Sequence, residues 1–233
     1  MNPDRLLVLD DLAAKVGDIS LGRPLRIAID GRTAAGKTTL SDELAALIGK
    51  RGRPVIRTSI DGFHRPKSER YARGRYSAEG YYHDARDLPA IVNLLLIPLG
   101  PRGDGMYRTA SFDLENDLPI EQEPRQAPAD AVLIVDGTFL QRPELREHWD
   151  LTIFLKTPAA TAEGRAVGRD AVQFGGVDAI RKLYAERYRG AFDLYDGLCA
   201  PEDIADVVLT NDDLDRPEIL IRPGCLLDQS QSP

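Results

Sequence analysis

The stretch Pro24-Leu25-Arg26-Ile27-Ala28-Ile29-Asp30-Gly31-Arg32-Thr33-Ala34-Ala35-Gly36-Lys37-Thr38 decides the architecture. Its first half is a short apolar run ending in glycine, which reads as a buried strand. Residues 31–38 satisfy GxxxxGK(S/T) in full. Beyond them, Leu40, Leu44, Ala45 and Ile48 share one face of a helix expected over 37–50. A bare match also arises by chance in glycine-containing turns, but the strand before and helix after are the context in which the pattern binds phosphate. Gly31 and Gly36 let the backbone bend with its N–H groups inward. Lys37 reaches β- and γ-oxygens, the Thr38 hydroxyl can ligate Mg²⁺, and the helix aims its positive end at the anion. Gly31, Arg32, Thr33, Ala34, Ala35, Gly36, Lys37, Thr38 and the adjoining Thr39 are thus the expected triphosphate contacts.

Working outward, apolar runs at 54–60, 131–136, 151–155 and 206–210 read as further strands, and 218–221 as an extra edge strand. Helical spacing marks 4–16, 87–96, 159–170 and 177–197. Strands apolar on both faces, alternating with helices, predict an α/β protein: a three-layer P-loop NTPase fold whose mostly parallel sheet is flanked by helices. Residues 62–86 lack periodicity and read as an ordered functional loop, 106–113 with 119–121 as a short antiparallel excursion, and 228–233 as a frayed end. The expectation is one domain over 1–233, with a core at 24–212, a substrate loop and insertion at 62–124 and a lid at 164–178.

Two strands end in acid. Asp136 closes the most apolar run, where a carboxylate would lie beside the phosphate loop and hold Mg²⁺ directly or through water. Asp61 closes the 54–60 run and points to the same crevice, because open α/β sheets bind ligands beyond the carboxyl ends of their strands. There it could accept the proton of an attacking hydroxyl. In each case an Asp-Gly turn is the plain alternative.

Composition narrows the classes. A net charge of −7 over 233 residues gives no broad attraction for polynucleotides, so no nucleic-acid partner is expected. Cys199 and Cys225 fit no metal or disulfide framework, in keeping with a cytoplasmic setting. No apolar stretch is long enough for a membrane span, and the start lacks a signal-peptide profile.

In order along the chain, GRTAAGKT, DGFHRP at 61–66, YYHDARD at 81–87, LIVDGTFL at 133–140, GRAVGRD at 164–170 and IADVVLTND at 204–212 resemble the uridine kinase and phosphoribulokinase family of P-loop kinases. The resemblance covers about 26–211. It implies an ATP- and Mg²⁺-dependent kinase acting on a hydroxyl of a small molecule, a nucleoside first, with a homo-oligomer left open. It makes Asp61 the catalytic base and Asp136 the Mg²⁺ ligand, where uridine kinases commonly carry Glu. Asp84 matches the acid that holds ribose hydroxyls, Tyr107 the aromatic beside the base, and Arg165 and Arg169 the lid arginines that neutralise the transferred phosphoryl group. The chain departs from the pattern at Thr109-Ala110-Ser111-Phe112, which lacks the pyrimidine-reading histidine. It departs again at His64, where those kinases carry Tyr, and at 171–176, which adds no further lid arginine. The DGFH form also resembles pantothenate-kinase-like members, so a pantothenate- or sugar-type kinase is the first rival and a regulatory ATPase the second.

Other residues carry two readings each. His64 could hydrogen-bond the acceptor or simply satisfy backbone. Tyr82 and His83 could contact substrate or pack the loop. Arg65, Arg70, Arg73 and Arg75 form a basic loop that is either a solvated face or a guide for a phosphorylated or carboxylated acceptor. Arg165 and Arg169 share a helix face at i,i+4.

Overall fold

The computed structural model describes residues 2–228; the tail from 229 onward, expected to fray, lies outside them. The chain runs α1 (Pro3–Asp18), β1 (Leu25–Gly31), α2 (Lys37–Lys50), β2 (Val55–Ser59), α3 (Lys67–Arg70), α4 (Ala78–His83) and α5 (Leu88–Ile91). An insertion follows with β3 (Met106–Tyr107), β4 (Phe112–Asp113), β5 (Leu118–Pro119) and β6 (Arg125–Gln126). The core resumes at β7 (Val132–Gly137), α6 (Pro143–Arg146), β8 (Leu151–Lys156), α7 (Ala159–Asp170), α8 (Val177–Leu183), α9 (Gly190–Cys199), α10 (Pro201–Ile204), β9 (Val207–Thr210) and β10 (Glu218–Ile221).

The main sheet has the order β10-β9-β8-β1-β7-β2, parallel throughout except for antiparallel β10. β1 and β7 are buried along their whole length, which is why they read as continuous apolar runs. Alternate side chains serve opposite faces. Ile27, Ile29, Val132, Ile134 and Ile153 pack with Leu9, Leu12, Leu40 and Leu44 of α1 and α2. Ala28, Leu133 and Val135 turn the other way, to Ile91, Leu95, Leu145 and Trp149. A third, aromatic cluster joins Tyr82, Phe139, Phe154, Phe192 and Tyr195.

The strands and helices of the core fall where the periodicity put them. The stretch 62–86 is more ordered than a loop, with α3 and α4 inside it. The antiparallel excursion resolves into two pairs, β3 with β6 and β4 with β5. The helices expected over 87–96 and 177–197 each contain a π-helical turn, at Val92–Leu96 and Tyr184–Arg189. Both cysteines are free and buried. Among the described residues no helix is long and apolar enough to cross a membrane.

Candidate functional site

β1, β7 and β2 are adjacent, and their carboxyl ends converge. Ile29 pairs with Asp136 across β1 and β7, and Ser59 pairs with Asp136 across β2 and β7. The phosphate loop therefore starts beside Asp136, and Asp61 follows in the 3-10 turn Ile60–Phe63 that closes β2.

The loop needs its glycines. A Cβ on Gly31 would come 2.7 Å from Leu155 O, and Gly36 has φ +100° with Asn211 Nδ2 2.8 Å from where its Cβ would stand. Gly36 opens α2 without any side-chain cap, so the first amides of that helix are left for an anion. Lys37 is buried and its ammonium donates to Arg32 O at 2.8 Å. Burial holds that amine below the usual lysine range, against the pull of Tyr81, Asp136, Asp30 and Asp61. Arg32 itself turns aside and stacks on Phe192 at 4.0 Å.

Beside the loop lies a cavity of about 440 Å³ lined by Ala34, Gly36, Thr39, Arg165 and Asn211. Arg165 donates to Ala35 O at 3.3 Å and Asn211 O at 2.9 Å, so it fastens the loop to the end of β9. Asn211 Nδ2 gives Ala35 O a second donor at 2.8 Å. Arg169, four residues on, pairs with Asp170 at 2.6 and 2.8 Å and lines this cavity as well as the next one.

That second cleft, about 770 Å³, is lined by Thr33 of the loop, Asp61, His64, Tyr81, Arg86 and Arg169 among others. Arg86 Nη2 donates to Asp61 Oδ1 at 2.8 Å, and Arg86 Nη1 also meets His64 Nε2. His64 Nδ1 lies 3.0 Å from Asp61 O. The surrounding walls of the cleft would raise the Asp61 carboxyl although its side chain is 58% exposed, but Arg86, His64, Lys37 and Arg169 outweigh them and hold the group below the usual range. Burial and the Arg86 charge push His64 down to about 3, which keeps the imidazole neutral.

The pair expected to hold Mg²⁺ is in contact. Thr38 Oγ1 donates to Asp136 Oδ2 at 2.8 Å. Asp136 Oδ1 is buried, makes no hydrogen bond and sits 2.7 Å from Arg57 Nη1. A hydroxyl and a carboxylate with one oxygen held only by the Arg57 charge suit Mg²⁺, which takes few protein ligands and completes its shell with phosphate and water. Accordingly, no cluster of three His, Cys, Asp or Glu exists among the described residues.

Four of the residues named for the acceptor lie elsewhere. Tyr82 is buried in the aromatic cluster with its hydroxyl 3.7 Å from Cys199 Sγ. His83 packs edge-on against Tyr82 and lines a separate cavity with Arg142 and Glu144. Asp84 is paired with Arg73 at 2.9 Å. Tyr107 belongs to the core under α5.

Sequence reasoning also missed three groups. Asp30 is wholly buried and accepts from Gly31 N (2.7 Å), Phe139 N (3.1 Å), Gln141 N (3.3 Å) and the Tyr195 hydroxyl (2.5 Å). It ties the first residue of the phosphate loop to the turn after β7. Burial lifts its carboxyl above the usual range although Tyr195, Gly31, Lys37 and Gln141 favour the anion. An acid inside a strand that is apolar apart from Arg26 was the available signal, since it demands partners. Arg86 stood within YYHDARD, and Arg57 within the second strand, but only the tertiary structure sets each against its acid.

No family model matches the sequence. The uridine-cytidine kinase B of Dictyostelium discoideum is 28% identical over 189 residues, covering 80% of this chain and 74% of that protein. A solved structure of a possible uridine kinase from Bacillus stearothermophilus superposes with a TM-score of 0.68 at 25% identity, over 86% of this chain and 96% of that one. A candidate fructose transport system kinase from Silicibacter sp. TM1040 gives 0.67 at 25% identity, over 87% and 98%. The parallel core, the phosphate loop and these similarities lead to one conclusion: the chain is an ATP-dependent small-molecule kinase that resembles the uridine kinases.

Proposed function

We propose that the 770 Å³ cleft holds the acceptor and that Asp61 is the base for its hydroxyl. The observation that carries this reading is the position of Asp61, in a cleft whose wall includes Thr33 of the phosphate loop. Oδ1 is occupied by Arg86, which leaves Oδ2 for the acceptor hydroxyl. A carboxyl held low takes up a proton late, which suits a loose transition state in which the γ-phosphoryl group has largely left before the nucleophile is deprotonated. Lys37, the uncapped amides of α2 and Arg169 face the charge that spreads over the phosphoryl oxygens. Thr38 and Asp136 would hold Mg²⁺, which neutralises charge on the β- and γ-oxygens when bound.

A nucleoside is the acceptor class that the relatives' names carry. A sugar- or hydroxy-acid-type acceptor is the second reading, favoured by Asp84 on Arg73 and Tyr107 in the core, both away from the cleft. ADP release measured against nucleosides, pantothenate and sugars separates the two. In that assay Asp61→Asn is expected to bind Mg·ATP normally and lose about 10²–10⁴-fold in acceptor-dependent rate. Unchanged turnover removes Asp61 as the base, and ADP release indifferent to every acceptor removes the kinase reading of the cleft.

A further inference from the structure

We infer that the acceptor carries a compact anionic group, a phosphate monoester or a carboxylate, and that Arg187 is its anchor; this rests on the reading of the cleft given above. The cleft is cationic on a chain of net charge −7: six of its lining residues are Lys or Arg and three are Asp or Glu. Asp61 is taken by Arg86 and Asp170 by Arg169. Arg70 turns to Asp117 at 3.0 Å. Among the described residues, Lys67, Arg75 and Arg187 remain with no carboxylate at salt-bridge distance, against a lone acid, Glu115.

Arg187 stands apart from the other two because it is buried, with 5% of its surface exposed. It projects from the π-helical turn Tyr184–Arg189. Its guanidinium lies 4.7 Å from the Tyr81 ring centre and 5.1 Å from that of Tyr71. Its hydrogen bond runs from Nη1 to Arg75 O at 2.6 Å, so Nε and Nη2 have no acceptor among the described residues. Burying a cation with no anion is costly, and aromatic faces offset only part of that cost. The planar fork suits a phosphate or carboxylate, which would complete it in two parallel hydrogen bonds. Tyr81 connects this anchor to the chemistry, since the Arg86 guanidinium that grips Asp61 lies 5.6 Å from the same ring. An acceptor with its anion on Arg187 and a hydroxyl at Asp61 therefore spans a single aromatic side chain. A neutral nucleoside would leave Arg187 as it stands, uncompensated.

The test is calorimetric titration of the full chain, saturated beforehand with Mg²⁺ and a non-hydrolysable ATP analogue so that the phosphate loop is filled. Ribose 5-phosphate is compared with ribose, and D-glycerate with glycerol. The charged member of at least one pair is expected to bind about tenfold tighter or better, the range of charge-assisted hydrogen bonds. The pair that shows the preference tells phosphate from carboxylate. Arg187→Gln should erase it with nucleotide affinity unchanged. Should that variant fold poorly, Lys67→Gln with Arg75→Gln, both at exposed positions, should weaken the charged ligand alone. Equal binding of charged and neutral partners, or no binding of either charged compound, overturns the inference. Charged ligands that bind but are never phosphorylated, with no acceptor-dependent ADP release, leave the anion site standing and remove the kinase reading of the cleft. Neutral acceptors turned over without charged preference do the reverse.

Discussion

Asp30→Ala removes one carboxylate on which the phosphate loop and the turn after β7 both hang. The amides of Gly31 and Phe139 and the Tyr195 hydroxyl lose their acceptor in a fully buried spot, while the Gln141 amide keeps the Tyr195 oxygen at 2.9 Å. Each stranded donor costs about 1–3 kcal/mol. Relief from burying the charge returns part of that, leaving a net loss of about 3–5 kcal/mol, as for breaking a buried ionic contact. Phe139 adds to the effect, because its φ of +68° is a left-handed conformation that the Asp30 contact helps to hold. A protein of this size should lose roughly 6–20 °C in Tm, at about 2–4 °C per kcal/mol. Urea unfolding gives the free energy, and titration with Mg·ATP should show weaker binding, since Gly31 is the first residue of the loop. The penalty also depends on pH. The folded carboxyl titrates above its unfolded value of 3.8, so the parent loses stability as pH climbs from 3.8 to the folded pKa, and the variant's deficit is smaller at neutral pH than in acid. An Asp30→Ala protein within about 1 kcal/mol of the parent at both ends, with nucleotide affinity intact, refutes the account of Asp30 as the tie.

Two further outcomes follow from the charges around the site. His64 is held neutral with a folded pKa of about 3 against 6.5 when unfolded, so its contribution is full above 6.5 and drains away in acid at about 1.4 kcal/mol per pH unit. His64→Gln should flatten that part of the urea-unfolding profile, and an unchanged slope counts against the buried neutral imidazole. Arg57→Met takes away the cation against Asp136 Oδ1, so the Mg²⁺ concentration for half-maximal nucleotide binding should fall roughly threefold or more; no change, or a rise, means Arg57 does not compete for that oxygen.

Much of the fold was readable because its strands are buried on both faces and its helices are amphipathic, so local pattern and tertiary burial agree. The contact between Thr38 and Asp136 was foreseeable too, since a strand tip beside a phosphate loop has little choice of neighbour. What escaped reading were relations between distant segments. Arg187 lies 101 positions past Arg86 in number, yet both flank Tyr81. The stretch 171–176 holds no arginine, and Arg187 stands only past the next helix. Tyr107 and Tyr82 show the converse difficulty: an aromatic in a polar segment looks like a ligand contact until tertiary packing buries it, Tyr107 against Ile91 and Leu95 and Tyr82 among Phe139 and Tyr195. Asp84 had an expected ligand, but Arg73, eleven residues earlier, reaches it.

Arg169 belongs to the walls of both cavities at once, with Asp170 gripping it from the next position. If the larger cavity holds the acceptor as proposed and the smaller the nucleotide, a displacement forced on that side chain by either substrate is felt by the other. Thermodynamic reciprocity requires the factor to be equal in both directions. Measuring how an acceptor alters nucleotide affinity thus also measures the return influence of the nucleotide on the acceptor.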